Sequence, residues 1–271
     1  MEIFIIVLII LLILNIISLI YSCNKVDISF YDVENSKIDK NLKIMFLSDL
    51  HNRNMTSKLD SIIKEENPDI IICGGDMVNE KLKETANFFK LLDVLDNYKT
   101  YYTFGNHEEY LEEDLDEYKK KLKKYNIILL NDKKTSISKN IILYGLESEM
   151  EMYQRFNKPM LSDDYIVNKL GKVNENKFNI LLAHNPLEFK SYYKTNYDLV
   201  LSGHIHAGLI RIPFIGALFS PDYTLFPKYS EGKYKKNNTT MIVSRGLGFS
   251  KRIPLRINNP AEVVIINLKG E

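Results

Sequence analysis

The chain has 271 residues, 45% of them hydrophobic and 26% charged, which excludes an intrinsically disordered chain. Lys plus Arg number 36 and Asp plus Glu 35, so the formal net charge is +1 and no global basic footprint calls for nucleic acid. The two cysteines sit in unlike settings, Cys23 closing an apolar leader and Cys73 inside an apolar run, which excludes a disulfide framework.

In chain order, residues 3–21 come first. They carry no charge, and only Asn15 and Ser18 interrupt their apolar character. At about 1.5 Å per residue such a helix is as long as a bilayer core is thick, and it is apolar all round rather than on one face. The expectation is one transmembrane helix within residues 1–24 and a single-pass location at the cell membrane. No Lys or Arg precedes the run and no small-x-small site follows it, which favours an uncleaved anchor over a cleaved signal peptide. Glu2 precedes the run, and Lys25, Lys37, Lys40 and Lys43 follow it; so few charges lean toward a cytoplasmic domain but leave the side open.

Residues 25–41 are expected to be a linker or a first strand, and residues 42–271 one domain. Short apolar runs predict strands at 42–47, 70–73, 100–104, 127–130, 141–144, 178–183, 199–202, 241–244 and 263–268. Apolar positions at helical spacing predict helices at 57–66, 81–95, 110–125 and 163–170. Strands alternating with helices in the first half indicate an α/β domain. Residues 233–238, basic and polar, are expected as a solvated loop. The polar segment 147–176 fits no pattern outside its helix.

Five polar motifs directly follow strand-like runs: Ser48-Asp49-Leu50-His51, Gly74-Gly75-Asp76, Gly105-Asn106-His107-Glu108, His184-Asn185-Pro186 and Gly203-His204-Ile205-His206. In open α/β sheets ligands bind beyond the carboxyl ends of strands, so the five converge naturally on one site. All five histidines of the chain lie in these motifs. One histidine beside a strand is usually a satisfied core residue; five, flanked by Gly, Asp and Asn, are not. Asp49 and Asp76 offer anionic oxygen, Asn106 an amide oxygen, and His51, His184, His204 and His206 neutral nitrogen. A nitrogen and oxygen set without thiolate suits Mn, Fe or Zn. No Gly-x-x-x-x-Gly-Lys-Ser/Thr loop and no Gly-x-Ser-x-Gly elbow occurs, which disfavours Walker-type nucleotide binding and covalent catalysis. Arg53, Arg245 and Arg256 could contact phosphate, but each alone is expected as a surface salt bridge.

Together and in this order, the five motifs resemble the calcineurin-like metallophosphoesterases. Arg211-Ile212-Pro213-Phe214-Ile215-Gly216, Leu225-Phe226-Pro227-Lys228-Tyr229, Ser244-Arg245-Gly246-Leu247-Gly248 and residues 254–260 further resemble the bacterial membrane-associated phosphodiesterase branch. The resemblance implies a two-sheet β-sandwich flanked by helices in four αββα layers. It also implies two divalent metal ions: Asp49, His51 and His206 on the first, Asn106, His184 and His204 on the second, and Asp76 bridging. His107 would not be a ligand but would face the phosphate as general acid, with a metal-bridging hydroxide as nucleophile. Ala207 replaces the first of the final glycines in the family's usual Gly-His-x-His-Gly-Gly ending, and Leu209 stands where a polar residue is common; both bear on substrate contacts rather than on ligands. The expected activity is hydrolysis of a phosphodiester, phosphomonoester or pyrophosphate, with a lipid-linked substrate attractive beside an anchor. The alternatives are an inactive tethered scaffold, which would typically lose ligands, and a metal-binding protein, which would not need His107. Oligomeric state, substrate and metal identity are open at this level.

Overall fold

A computed structural model describes residues 2–147, 153, 161–212, 215–220, 224–249 and 256–270, with backbone only for residues 2, 3, 7, 8, 11 and 12. Pro213, Phe214, Pro254, Leu255 and most of the polar segment 147–160 lie outside the described residues.

α1 (Glu2–Asn24) opens the chain as one helix of 23 residues. The sequence predicts a membrane span here, and the structure has one continuous helix over these residues. Among the described residues no helix is long and apolar enough to cross a membrane.

There follow β1 (Val26–Glu34), β2 (Leu42–Leu47), α2 (Thr56–Glu66), β3 (Ile70–Cys73), α3 (Ala86–Leu95), β4 (Thr100–Tyr102), α4 (Asn106–Glu109), α5 (Leu115–Leu122), β5 (Ile127–Leu129), β6 (Lys133–Ser136) and β7 (Ile141–Leu146). The second half comprises α6 (Asp163–Leu170), β8 (Phe178–Ala183), α7 (Phe189–Lys194), β9 (Leu199–Ser202), β10 (Ile210–Ile212), β11 (Gly216–Phe219), β12 (Gly232–Lys236), β13 (Thr239–Val243) and β14 (Ala261–Lys269). Two six-stranded mixed sheets result, ordered β1-β14-β2-β3-β4-β5 and β12-β13-β9-β8-β7-β6, with β10 and β11 as a separate hairpin.

Strand periodicity builds the layers. Successive side chains of a strand point to opposite faces. Ile44 and Phe46 of β2, Ile72 of β3 and Ile266 of β14 face Leu143, Ile180, Leu182 and Leu201 of the other sheet, forming the interior of a sandwich. The alternate residues Met45, Leu47, Ile71 and Ile265 turn outward onto α2, α3 and α5. Tyr144, Leu181 and Val200 turn outward onto α6 and α7. Both faces of each central strand are covered, which is why these strands read as continuous apolar runs. The fold is thus α/β, two sheets back to back with helices outside.

Two expectations are corrected, and one alternative is decided. Residues 110–125 do not form one helix: Glu112 takes φ +43, which a continuous α-helix cannot accommodate, and α5 starts only at Leu115. Residues 233–238 are not a loop throughout, because β12 pairs antiparallel with β13 as a sheet edge. Its lysines mark the exposed side of that edge strand rather than the absence of structure. β1, within the stretch expected as linker or strand, pairs in parallel with β14 from Val26 to Glu34.

Candidate metal centre

β2, β3 and β4 are parallel neighbours in one sheet, and β8 and β9 in the other. Their carboxyl ends carry the five polar motifs, and the pairing continues into the loops. The Asp49 and His51 N–H groups donate to the Gly75 and Asp76 carbonyls, and Gly203 N–H to that of His184, each at 3.0 Å. Asp49, His51, Asp76, His204 and His206 all take positive φ, between 47° and 72°. Non-glycine residues avoid that region, at a cost on the order of 1–3 kcal/mol each, and such strain persists only where the surroundings over-determine it. Two glycines are fixed by close approach. A Cβ on Gly105 would overlap Asp76 Oδ1, and one on Gly203 would overlap Ser48 Oγ and Asp49 Oδ2.

Each aspartate spends one oxygen on backbone. Asp76 Oδ1 accepts from His107 N–H at 2.8 Å, and Asp49 Oδ1 from His204 N–H at 2.9 Å, while the Ser48 hydroxyl donates to Asp49 Oδ2. Asp76 Oδ2 is left facing three imidazoles: His184 Nε2 at 3.1 Å, His51 Nε2 at 3.9 Å and His107 Nε2 at 4.0 Å. Three sets of side chains lie close enough to hold a metal ion: Asp49, His51 and His206; Asp76, His184 and His204; and His51, Asp76 and His107. His51 and His206 face each other through Nε2 atoms 3.0 Å apart, and His206 Nε2 is 3.5 Å from Asp49 Oδ1.

The donor set fits cations. Asn106 Oδ1 is buried without a hydrogen-bond partner, a costly state unless something else satisfies it. His184 Nδ1 lies 2.8 Å from the Gly74 carbonyl. A carbonyl only accepts, so Nδ1 carries the proton and Nε2 is aimed inward, as a metal ligand requires. Burial lifts the Asp49 carboxyl to about 6. Burial also works against ionised Asp76, but His184, His107 and His51 hold it well below the usual carboxylate range. Burial pushes His51 down to about 3 and His206 well below its ordinary value, so both offer neutral nitrogen. At His184 burial is overcome by Asp76 and Asp49, which raise it to about 10. His107, 14% exposed at its side chain, stands at the mouth of the cluster, with Nδ1 3.9 Å from Glu80 Oε1.

The family model for calcineurin-like phosphoesterase matches residues 42–208, the stretch that holds every one of these side chains. The chain belongs to that family. By family it is a metallophosphoesterase. It is 30% identical to an uncharacterized metallophosphoesterase of Campylobacter jejuni over 90% of this chain and 64% of that protein. It is 35% identical to one from Helicobacter pylori over 86% of this chain and 61% of that protein. Phosphodiesterase YaeI of Escherichia coli is 27% identical over 83% of this chain and 82% of its own. The chain thus spans less than two thirds of the Campylobacter and Helicobacter relatives.

Seven of the eight residues singled out in the sequence, all but Asn106, fall in these overlapping sets, and Asn106 adjoins His107 with its Oδ1 buried. The arginines differ from expectation. Arg245 and Arg256 are buried, not surface residues. Arg245 pairs with Asp27 at 3.1 Å and Glu262 at 3.3 Å. Arg256 donates to the carbonyls of Gly248 at 2.7 Å and Arg245 at 2.9 Å. Arg53 reaches the Leu247 carbonyl at 2.8 Å.

One supporting residue carried no role in the sequence reading. Glu108, fully buried, accepts from the N–H groups of Asp76 at 2.9 Å, Met77 at 2.7 Å and Gly105 at 2.8 Å, and from the Tyr102 hydroxyl at 2.7 Å. It ties the Asp76 loop to the Asn106 turn. Its signal was an acidic residue three places after a glycine that opens a short helix, the return arm of a capping box. Tyr153 is a second addition, its ring 5.1 Å from that of His204.

Proposed function

We propose that this metallophosphoesterase hydrolyses phosphate esters at a two-metal centre, with a phosphodiester or a lipid-linked pyrophosphate as substrate. The observation that carries the proposal is Asp76 Oδ2, a single oxygen shared between the sets of His51 and His184. Asp49, His51 and His206 would hold the first cation, Asn106, His184 and His204 the second, and Asp76 both. Two divalent cations at such a site supply Lewis-acid charge and an activated water for in-line displacement at phosphorus. Mn, Fe and Zn all suit this donor set.

The chain's own groups do the rest. The Asp76 and Asp49 carboxylates are pinned by backbone N–H donors, so the anionic oxygens do not have to reorganise as charge moves. His107 Nε2 faces the same centre from the solvent side, placed to hand a proton to the departing oxygen. A metal store or a tethered scaffold would need no such group. The substrate's lipid character is supported by α1, whose Phe4, Ile6, Ile9, Ile13 and Ile17 are about half exposed or more. Apolar side chains in that number favour contact with a lipid surface. We place the protein there, single-pass or lying against the bilayer.

Metal quantification with kinetics on a chromogenic phosphodiester, a lipid pyrophosphate and a nucleotide panel tests the proposal. Asp76→Asn is expected to lose both metals together; retention of two per chain contradicts the shared oxygen. His107→Ala is expected to keep both metals and lose about 100- to 10,000-fold in kcat on esters with poor leaving groups. An unchanged kcat removes His107 from proton transfer.

A further inference from the structure

We infer that the last two turns of α1 are a positioning element of the first metal's site, holding His206 through Asn259. The inference rests on the assignment of His206 to that site.

His206 and Ala207 are consecutive residues at φ +54. Two neighbouring left-handed residues that are not glycine do not hold themselves; something must bracket them. Asn259 does so. Fully buried, it donates its side-chain amide to the carbonyls of His206 and Gly208, both at 2.7 Å, one inside the strained pair and one just beyond it. Asn259 is in turn fixed from α1. Its N–H donates to the Ser22 hydroxyl at 3.2 Å, and Ser22 is fully buried. One turn back, the Ser18 hydroxyl donates to Asn258 Oδ1 at 2.6 Å and lies 2.9 Å from Asn258 N.

The helix end is held on the other side as well. The Cys23 carbonyl accepts from Arg53, two residues beyond His51, and the Asn24 carbonyl accepts from Lys58 at 2.5 Å. Arg53 also reaches Leu247, whose own N–H donates to the Ser48 carbonyl at 3.0 Å. These cations satisfy carbonyls that a helix carboxyl end leaves open, and they complement its dipole. Ser18 and Ser22, four apart, form the docked face of an otherwise apolar helix. The chain from Ser22 through Asn259 to His206 is continuous, and every member of it is buried.

The test uses the full-length protein in detergent, with Mn(II) as the probe. Metals per chain and the Mn(II) electron paramagnetic resonance spectrum are followed against free metal. Ser22→Val leaves the Asn259 N–H buried without its acceptor. It is expected to weaken binding of one metal of the two by about 10- to 100-fold. At limiting Mn(II) the spin-coupled pair signal gives way to a mononuclear one, and excess metal restores it. Ser22→Thr keeps the hydroxyl and is expected to behave as wild type, as is Ile13→Ala on the exposed side of the helix. Arg53→Lys, which keeps the charge but not both carbonyl contacts, serves if Ser22→Val does not fold, with the same expected direction. Wild-type titration curves for both Ser22→Val and Arg53→Lys overturn the inference and leave the metal centre standing. A wild-type protein that binds no pair of metals overturns both together.

Discussion

At the scale of single residues, the site fixes Asp76, Asp49 and His184 by pairing each with a backbone partner. Asp76 is anchored through Oδ1 and His184 through its Nδ1–H, which leaves one defined atom of each facing the centre, while Asp49 is held through both oxygens, by His204 N–H and the Ser48 hydroxyl. Glu108 does the same for a loop, since its carboxylate gathers four backbone N–H donors, of Asp76, Met77, Val78 and Gly105, and a phenol. Only an ionised carboxylate offers nothing but acceptors to so many donors. Glu108→Gln is therefore expected to turn one acceptor into a donor facing N–H groups, costing about 1–3 kcal/mol of stability. Urea unfolding at saturating and at zero metal checks this; an unchanged midpoint in both would show that the clamp is not needed. The ligand types were legible in the sequence because chemistry at strand ends leaves few readings for Asp, Asn and His together. Glu108 was not assigned, because an acidic residue after a histidine looks like surface until its burial is known.

At the scale of elements, the site depends on how the termini are laced to the sheets. β1 and β14 pair along nine residues, and Arg245 links them through Asp27 and Glu262. Burial alone would lower the Arg245 pKa, but Glu262, Glu231 and Asp27 hold it above its ordinary value. Removing a buried partner strands the opposite charges. Arg245→Leu is expected to cost about 3–5 kcal/mol, read as a lowered denaturation midpoint with the slope unchanged. A change below 1 kcal/mol would mean that the carboxylates find water or one another. The central strands were legible because both faces of each are covered and their runs stay apolar. β12 was not, because an edge strand rich in lysine has the composition of a loop. The helix expected over 110–125 failed at one residue, Glu112, whose left-handed backbone breaks the run and which no helical periodicity announces.

For the whole molecule, the candidate metal centre sits where two sheets end side by side, so its side chains come from both halves of the sandwich. Without cations, the buried Asp49 is destabilised as an anion and five non-glycine residues of the site hold unfavourable backbone angles. Metal that binds only the folded chain stabilises it by mass action. Chelation is expected to lower Tm, by an amount that grows with the free metal used for reference, and re-addition to restore it; a Tm indifferent to chelator would show that the centre binds no cation tightly. The sequence by itself determined the ligand types, the α/β alternation and the apolar leader, because each is written in local order: period, strand ends, side-chain chemistry. Tertiary structure alone decided that Asp76 presents one oxygen to three imidazoles, that two arginines are buried, and that the end of α1 backs His206 through Asn259. Those depend on contacts between residues as far apart as Ser22 and Asn259, and no local pattern encodes a distance closed only when the sheets pack.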